Sequence, residues 1–149
     1  EADLAYRCLV PLINRYWYAS LASTHNAKRL FNMDISGGMP SVLIKMLVSS
    51  DPGRIDLLPA RPAAWPSGTI EGVLCRGQIE VKRLQWDGKS IRAVLRSGVR
   101  QEIDLGAPGE IASMTVTNGD AKVLEGKDRA SRRLSLPAGR EVEIELSVR

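Results

Sequence analysis

Few side chains in this 149-residue sequence are of a type that does chemistry. There is one histidine, His25, and there are two cysteines, Cys8 and Cys75. Among the carboxylates, Asp34 has the most distinctive setting, between apolar Met33 and Ile35 in the stretch Phe31-Asn32-Met33-Asp34-Ile35-Ser36-Gly37-Gly38. An aspartate shortly before a Gly-Gly turn is commonly a helix N-cap or the first residue of an Asx-turn. Partial burial of the same carboxylate would strengthen its hydrogen bonds to a partner amide and make an unpaired charge costly. A single histidine in a polar stretch is ordinarily solvated. The two cysteines lie far apart and match no metal or redox spacing, so neither a metal nor a cofactor is expected. Cys8, among apolar neighbours at helical spacing, reads as a buried free thiol, with a Cys8–Cys75 disulfide left open.

The elements that must position these residues change character along the chain. Leu4, Ala5, Cys8 and Leu9 recur at spacings of three and four, which predicts an amphipathic helix over residues 2–10, ended or kinked by Pro11. After Tyr16-Trp17-Tyr18 comes a polar run, and then the Asp34 stretch, whose glycines suggest a sharp turn or a close backbone approach. Pro40 suits the first turn of a second helix, with Met39, Val42, Leu43, Met46 and Leu47 on one face and Pro52-Gly53 as its stop. Residues 54–68 read as an ordered connector holding Pro59, Pro62 and Pro66, introduced by the short strand Ile55-Asp56-Leu57-Leu58.

Beyond the connector the period is two. Strands are expected at 69–75, 79–86, 91–95, 101–105, 114–117, 133–136 and 141–148, with Asp87-Gly88 as a hairpin signal. In the last of them Val142, Ile144, Leu146 and Val148 alternate with Glu141, Glu143, Glu145 and Ser147, as one wet and one dry face demand. Seven short strands separated by turn residues predict an antiparallel sandwich. The organisation is therefore residues 1–53 helical, 54–68 connector and 69–149 β-domain, an α+β chain. Its 149 residues hold one ordinary core or two small packed units, so any larger fold is only partly present.

Composition bounds the partners. With 44% hydrophobic and 26% charged residues and no apolar run of about 18 residues, the sequence has no membrane span and reads as globular. The net charge of +4 is spread along the chain. Arg129, Arg132 and Arg133 form a short cluster without interleaved aromatics, read as solvated surface, and no nucleic-acid partner is expected. The start, Glu1-Ala2-Asp3-Leu4, has no visible signal peptide.

The Asp34 stretch, the helix ending in Met46-Leu47-Val48-Ser49-Ser50, the block from Ile55 to Gly77 and Trp86-Asp87-Gly88-Lys89 resemble, in that order, the C-terminal region of glycoside hydrolase family 95, the α-L-fucosidase family. The resemblance covers about residues 1–95, and residues 55–77 are its most specific part. It implies that the helices are the last of an (α/α)6 toroid, followed by a C-terminal antiparallel β-sandwich, in an inverting hydrolase of α-L-fucosides or related α-L-galactosides. In the family motif Phe-Gln-Ile-Asp-Gly-Asn-Phe-Gly-Gly, the aspartate helps an asparagine from an earlier segment to activate water, and it matches Asp34.

An inverting enzyme needs its base across the sugar from its acid, about 6.5–9.5 Å away, to admit water. By the resemblance Asp34 orients the water-activating amide. The general acid, a glutamate, and the asparagines belong to an upstream helical domain, so the chain by itself is expected to be inactive. Where the motif has Gln, Gly, Asn and Phe, this chain has Asn32, Ile35, Ser36 and Gly37, a departure that bears on sugar specificity. A family histidine ahead of the motif matches His25, which would contact sugar hydroxyls, although a longer insert, Asn26 to Leu30, follows it here.

The resemblance also suggests a secreted or periplasmic enzyme acting on oligosaccharides with terminal α-L-fucose. Trp65 is expected to pack between domains, Trp17 and Trp86 to be core or interface residues, and Arg76 to pair structurally. The alternative function is a non-catalytic structural or carbohydrate-binding β-domain. The strands contribute only Trp86 as an aromatic, which favours structural support over sugar stacking.

Overall fold

The computed structural model describes residues 1–26 and 28–149. In chain order its elements are α1 (Ala2–Tyr16), β1 (Thr24–His25), β2 (Leu30–Phe31), α2 (Met33–Leu47), β3 (Val48–Asp51), β4 (Arg54–Leu57), β5 (Ser67–Cys75), β6 (Ile79–Asp87), β7 (Ser90–Ser97), β8 (Gln101–Gly106), β9 (Ile111–Asn118), β10 (Lys122–Glu125), β11 (Ser131–Leu136) and β12 (Glu141–Val148). Ala27, within the insert after His25, lies outside the described residues.

The β-rich part is a sandwich of two five-stranded sheets, ordered β10-β11-β8-β4-β3 and β5-β6-β7-β12-β9. Alternation decides which side chains enter. On β12, Val142, Ile144 and Leu146 are buried while the intervening glutamates face outward, and Val81, Leu84, Leu95, Leu105 and Leu134 complete one continuous core drawn from both sheets. Burying such a side chain contributes about 1.5–3 kcal/mol, so this core is the main source of the fold's stability. The hairpin of β6 and β7 turns through Gly88, at φ +56°, and Lys89, between the paired Asp87 and Ser90. A positive φ in a two-residue loop matches the right-handed twist of the flanking strands.

The sandwich departs from the expected one in two respects. One strand pair is parallel, not antiparallel: β4 lies beside β8 with Ile55 opposite Leu105, because the chain leaves β4, builds three strands of the other sheet, and only then returns. The sandwich also gathers residues from before and within the expected connector. Val48 on β3 and Ile55, Leu57 and Leu58 on or after β4 are all buried in its core. β3 itself was not foreseen, nor was the four-residue edge strand β10.

Both helices run through residues expected to limit them. α1 continues past Pro11 to Tyr16, although the proline deprives the Arg7 carbonyl of its usual donor. α2 begins seven residues before Pro40, and Gly37 and Gly38 are helical residues, not a turn. Asn32 is the reason. Its side-chain oxygen accepts the Asp34 and Ile35 N–H groups at 2.8 and 3.2 Å, satisfying two donors that an uncapped start would leave free. A small second cluster holds the helices together: Leu9, Met39 and Met46 are buried, with Ala5, Trp17, Leu43, Ala60 and Trp65 packed around them.

Helices and sandwich are tied through the connector. Leu58 and Ala60 donate backbone hydrogen bonds to Leu47 and Met46 at the end of α2, and Asp3 on α1 accepts from the Ala63 N–H at 2.8 Å. The Trp65 ring meets Tyr6 edge-on at 5.8 Å, and the buried Trp86 donates its indole N–H to the Trp65 carbonyl at 3.0 Å. Trp65 thus packs between helix and sandwich. Among the described residues, no helix is long and apolar enough to cross a membrane.

Candidate functional site around the first turn of the second helix

Asp34 occupies the first turn of α2, and its position is set from below. The buried hydroxyl of Ser23 donates to the Asn32 carbonyl and lies 2.6 Å from the Ser36 hydroxyl, while the Ser23 carbonyl accepts the Asn32 N–H at 3.0 Å. Thr24, also buried, donates its hydroxyl to the Tyr16 carbonyl at 2.8 Å and so fixes the end of α1 beside this turn. Ser23, Thr24 and Ser36 were not singled out by the sequence. Their one local signal is the spacing of Asn32 and Ser36, four apart on what proves to be one helix.

Because Asn32 is the N-cap, the Asp34 carboxylate is not used to start the helix. It makes no side-chain hydrogen bond and no ion pair among the described residues, and it is exposed, not partly buried as expected. Nothing among the described residues covers this turn of α2. The location still favours a negative charge, since the unsatisfied N–H groups of a helix start carry partial positive charge.

Asp34 stands on the lip of an apolar groove of about 340 Å³ between α1 and α2, lined by Leu9, Leu12, Tyr16, Ile35, Met39 and Val42. The groove continues onto uncovered apolar surface. Leu4, Leu12, Ile13, Leu30, Phe31, Met33, Val42 and Ile44 are all exposed, and only Leu74, Val99 and Leu124 are large exposed hydrophobics within the sandwich. Scattered apolar side chains are ordinary, but a concentration on one small helical unit is the pattern of an interaction surface.

His25 lies on β1, paired with Leu30 on β2, and is exposed. No side-chain hydrogen bond and no common recess joins it to Asp34 among the described residues. Cys8 is exposed, contrary to expectation, because α1 turns Ala5 and Leu9 inward and leaves Leu4 and Cys8 on the other side of the same stripe. Both cysteines are free thiols, and burial pushes the Cys75 thiol up from its ordinary value. The arginine cluster is not simply solvated. Arg129 pairs with Glu110 at 3.2 Å, Arg133 approaches Asp104 at 3.6 Å, and Arg132 donates to the Ile111 carbonyl at 3.0 Å. Arg76, expected to pair, has no ion-pair partner among the described residues. Its backbone N–H instead donates to the Ser50 hydroxyl at 3.1 Å.

The sandwich and the strands leading into it carry the decisive likeness. Residues 49–144 match the family model described as glycoside hydrolase family 95, C-terminal domain. The chain belongs to glycoside hydrolase family 95. No curated protein matches it. The match begins just after α2, so the family 95 assignment rests on β3 to β12, and Asp34 and His25 lie outside the matched span. Membership brings a carbohydrate substrate as the class of ligand with which the protein is concerned.

Proposed function

We propose that this chain is the C-terminal part of an inverting family 95 glycoside hydrolase acting on α-L-fucosides or related α-L-galactosides. Asp34 orients the amide that activates water, and residues 1–53 form the end of an (α/α)6 helical domain whose other helices supply the general acid and that amide. His25 is a further contact for sugar hydroxyls. The observation that carries the reading is the unused Asp34 carboxylate: Asn32 performs the capping, and Asp34 stands free beside an apolar groove at a helix start. A carboxylate so placed is free to accept a hydrogen bond from a partner amide, and covering the groove would lower the local dielectric and strengthen that bond. In the full enzyme Asp34 polarises and does not attack.

The experiment compares the 149-residue chain with a protein that also carries the upstream helical domain, on an aryl α-L-fucoside. The short chain is expected to be inactive and the longer protein to release the β-anomer first, visible by NMR. Asp34→Asn in the longer protein should lower kcat by about 10²–10⁴-fold, the range in which a positioned proton-transfer group contributes. Near-normal turnover by Asp34→Asn would overturn its role, and hydrolysis by the short chain would overturn the placing of the acid elsewhere. The reading of the β-part as a sugar-stacking module has little support, since Trp86 is its only aromatic from β6 onward and is buried.

A further inference from the structure

α2 separates two recesses. Asp34, Ile35, Gly38, Met39 and Val42 face the apolar groove already described. Gly37, Pro40, Ser41, Ile44 and Lys45 line a different and larger cleft of about 750 Å³, closed on its far side by β3 and the end of β5. That volume falls in the range of small-molecule sites, about 300–1,000 Å³. The lining is chemically mixed. Lys45 and Arg76 bring two cations, Asp51 one carboxylate, Ser41 and Ser49 hydroxyls, and Leu74 an apolar side chain that is 82% exposed.

None of the three charged groups is spent on the fold. Lys45, Asp51 and Arg76 form no ion pair among the described residues, whereas eight ion pairs occur elsewhere in the chain. The backbone that carries Arg76 is nevertheless held firmly. Its own N–H is bound to Ser50, the Gly77 carbonyl accepts from the Gln101 side chain at 2.7 Å, and the Gln78 carbonyl accepts from Gly98 at 2.8 Å. The turn therefore fixes where the Arg76 side chain starts, at the wall of the cleft, while the exposed guanidinium stays free to meet a ligand. Cys75 at the same wall is kept in its neutral thiol form by burial and adds no negative charge.

We infer that this cleft is a second saccharide site, separate from Asp34, which takes a uronic-acid residue of an oligosaccharide. Lys45 and Arg76 receive the sugar carboxylate, Asp51 and the serines accept and donate hydrogen bonds with ring hydroxyls, and Ile44 with Leu74 face the apolar C–H surface of the ring. Asp51 is what distinguishes this ligand from a bare anion. It repels the concentrated charge of inorganic phosphate, whereas a uronate can place its carboxylate at the cations and a neutral ring hydroxyl, several ångströms away, at Asp51. The inference needs the family's carbohydrate chemistry and does not depend on the role of Asp34.

The test is a titration of the full chain with trigalacturonate, neutral galactotriose and inorganic phosphate at low salt, followed by calorimetry and by amide chemical shifts. Trigalacturonate should bind at least about tenfold more tightly than either of the others, with shifts concentrated at residues 41–51 and 74–77, and should weaken as salt rises. Lys45→Ala and Arg76→Ala should each weaken it about 3–10-fold, as expected for one charge-assisted contact at an exposed site. Arg76→Lys, which keeps the charge and loses the fork, should fall between. Asp51→Asn should weaken trigalacturonate and tighten phosphate. Lys89→Ala, in the exposed hairpin at the opposite end of β6 from Arg76, serves as control. Equal binding of the neutral trisaccharide, equal binding of phosphate, or an equal loss in Lys89→Ala would overturn the inference, since each would mean that the cleft does not select a uronate.

Discussion

Gly68 and Trp86 stand directly opposite each other on the paired strands β5 and β6, and the indole lies across the glycine backbone. A Cβ added at residue 68 would overlap Trp86 Cζ2 and stand 2.8 Å from Cη2. Gly68 does not have a positive φ, so alanine meets no backbone penalty there and the cost is purely steric. Trp86 is only 6% exposed and its N–H is committed to the Trp65 carbonyl, so the ring cannot swing aside without losing that bond. Gly68→Ala should therefore destabilise by about 1–3 kcal/mol, the usual cost of overpacking. In a chain of this size that lowers Tm by about 3–10 °C. Trp86→Phe removes the clashing ring atoms and should cost about 1–3 kcal/mol by itself through lost volume and an unpaired carbonyl. With phenylalanine present the alanine should cost almost nothing. Urea unfolding of the four proteins, read by circular dichroism, should give a coupling of about 1–2 kcal/mol. Costs that add within about 0.5 kcal/mol would refute the steric account, and would mean that Gly68 serves some purpose other than admitting the indole.

Asn32→Ala should destabilise by about 1 kcal/mol in thermal melts, as loss of an N-cap does, whereas Asp34→Asn should change stability by only a few tenths, the size of a helix-start charge effect. Equal costs would mean that Asp34 shares the capping. Asp104 is nearly buried, and its hydrogen bond with Lys127 at 2.7 Å, followed by the charge of Arg133, holds its carboxyl below the usual carboxylate range. A carboxyl with a lowered folded-state pKa contributes stability that is present above its unfolded value, about 3.9, and is lost as pH falls through the folded value. Urea midpoints of the natural protein should accordingly drop below about pH 4, and the drop should be smaller in Asp104→Asn. An unchanged acid slope would show that Asp104 is not the group responsible.

What was legible in the sequence tracks how local each determinant is. β12 was readable to the residue because its alternation is the cause of its burial: Val142, Ile144 and Leu146 need no partner strand to announce which face is dry. The other foreseen strands were found within a few residues at each end, because turn residues mark their limits. β3 and β10 were not foreseen. Val48-Ser49-Ser50-Asp51 has no strand pattern of its own and is extended because β4 pairs with it residue for residue, while Val123-Leu124 is a consecutive apolar pair on a sheet edge. The parallel pairing of β4 with β8 joins residues about fifty positions apart and leaves no local trace.

The candidate site shows the same division with a sharper consequence. Asn32 followed by an acidic residue in the first turn is a helix-start signal, but Gly37-Gly38 and Pro40 gave a later one, and the two compete in the sequence. Tertiary contacts decide between them, since Ser23, nine residues away across a two-strand hairpin, holds the backbone of Asn32 where it can cap. Once the helix starts at Met33, Gly37 and Gly38 lie about 100° apart around its axis, Gly37 at the polar cleft and Gly38 at the apolar groove, and a Cβ at either would meet nothing within 4 Å. Each glycine inside a helix costs about 0.5–1 kcal/mol relative to alanine. No contact among the described residues requires them; under the function and the second site proposed above, they would let the helix backbone be approached closely, by the upstream helical domain on the Asp34 side and by a sugar ring on the other.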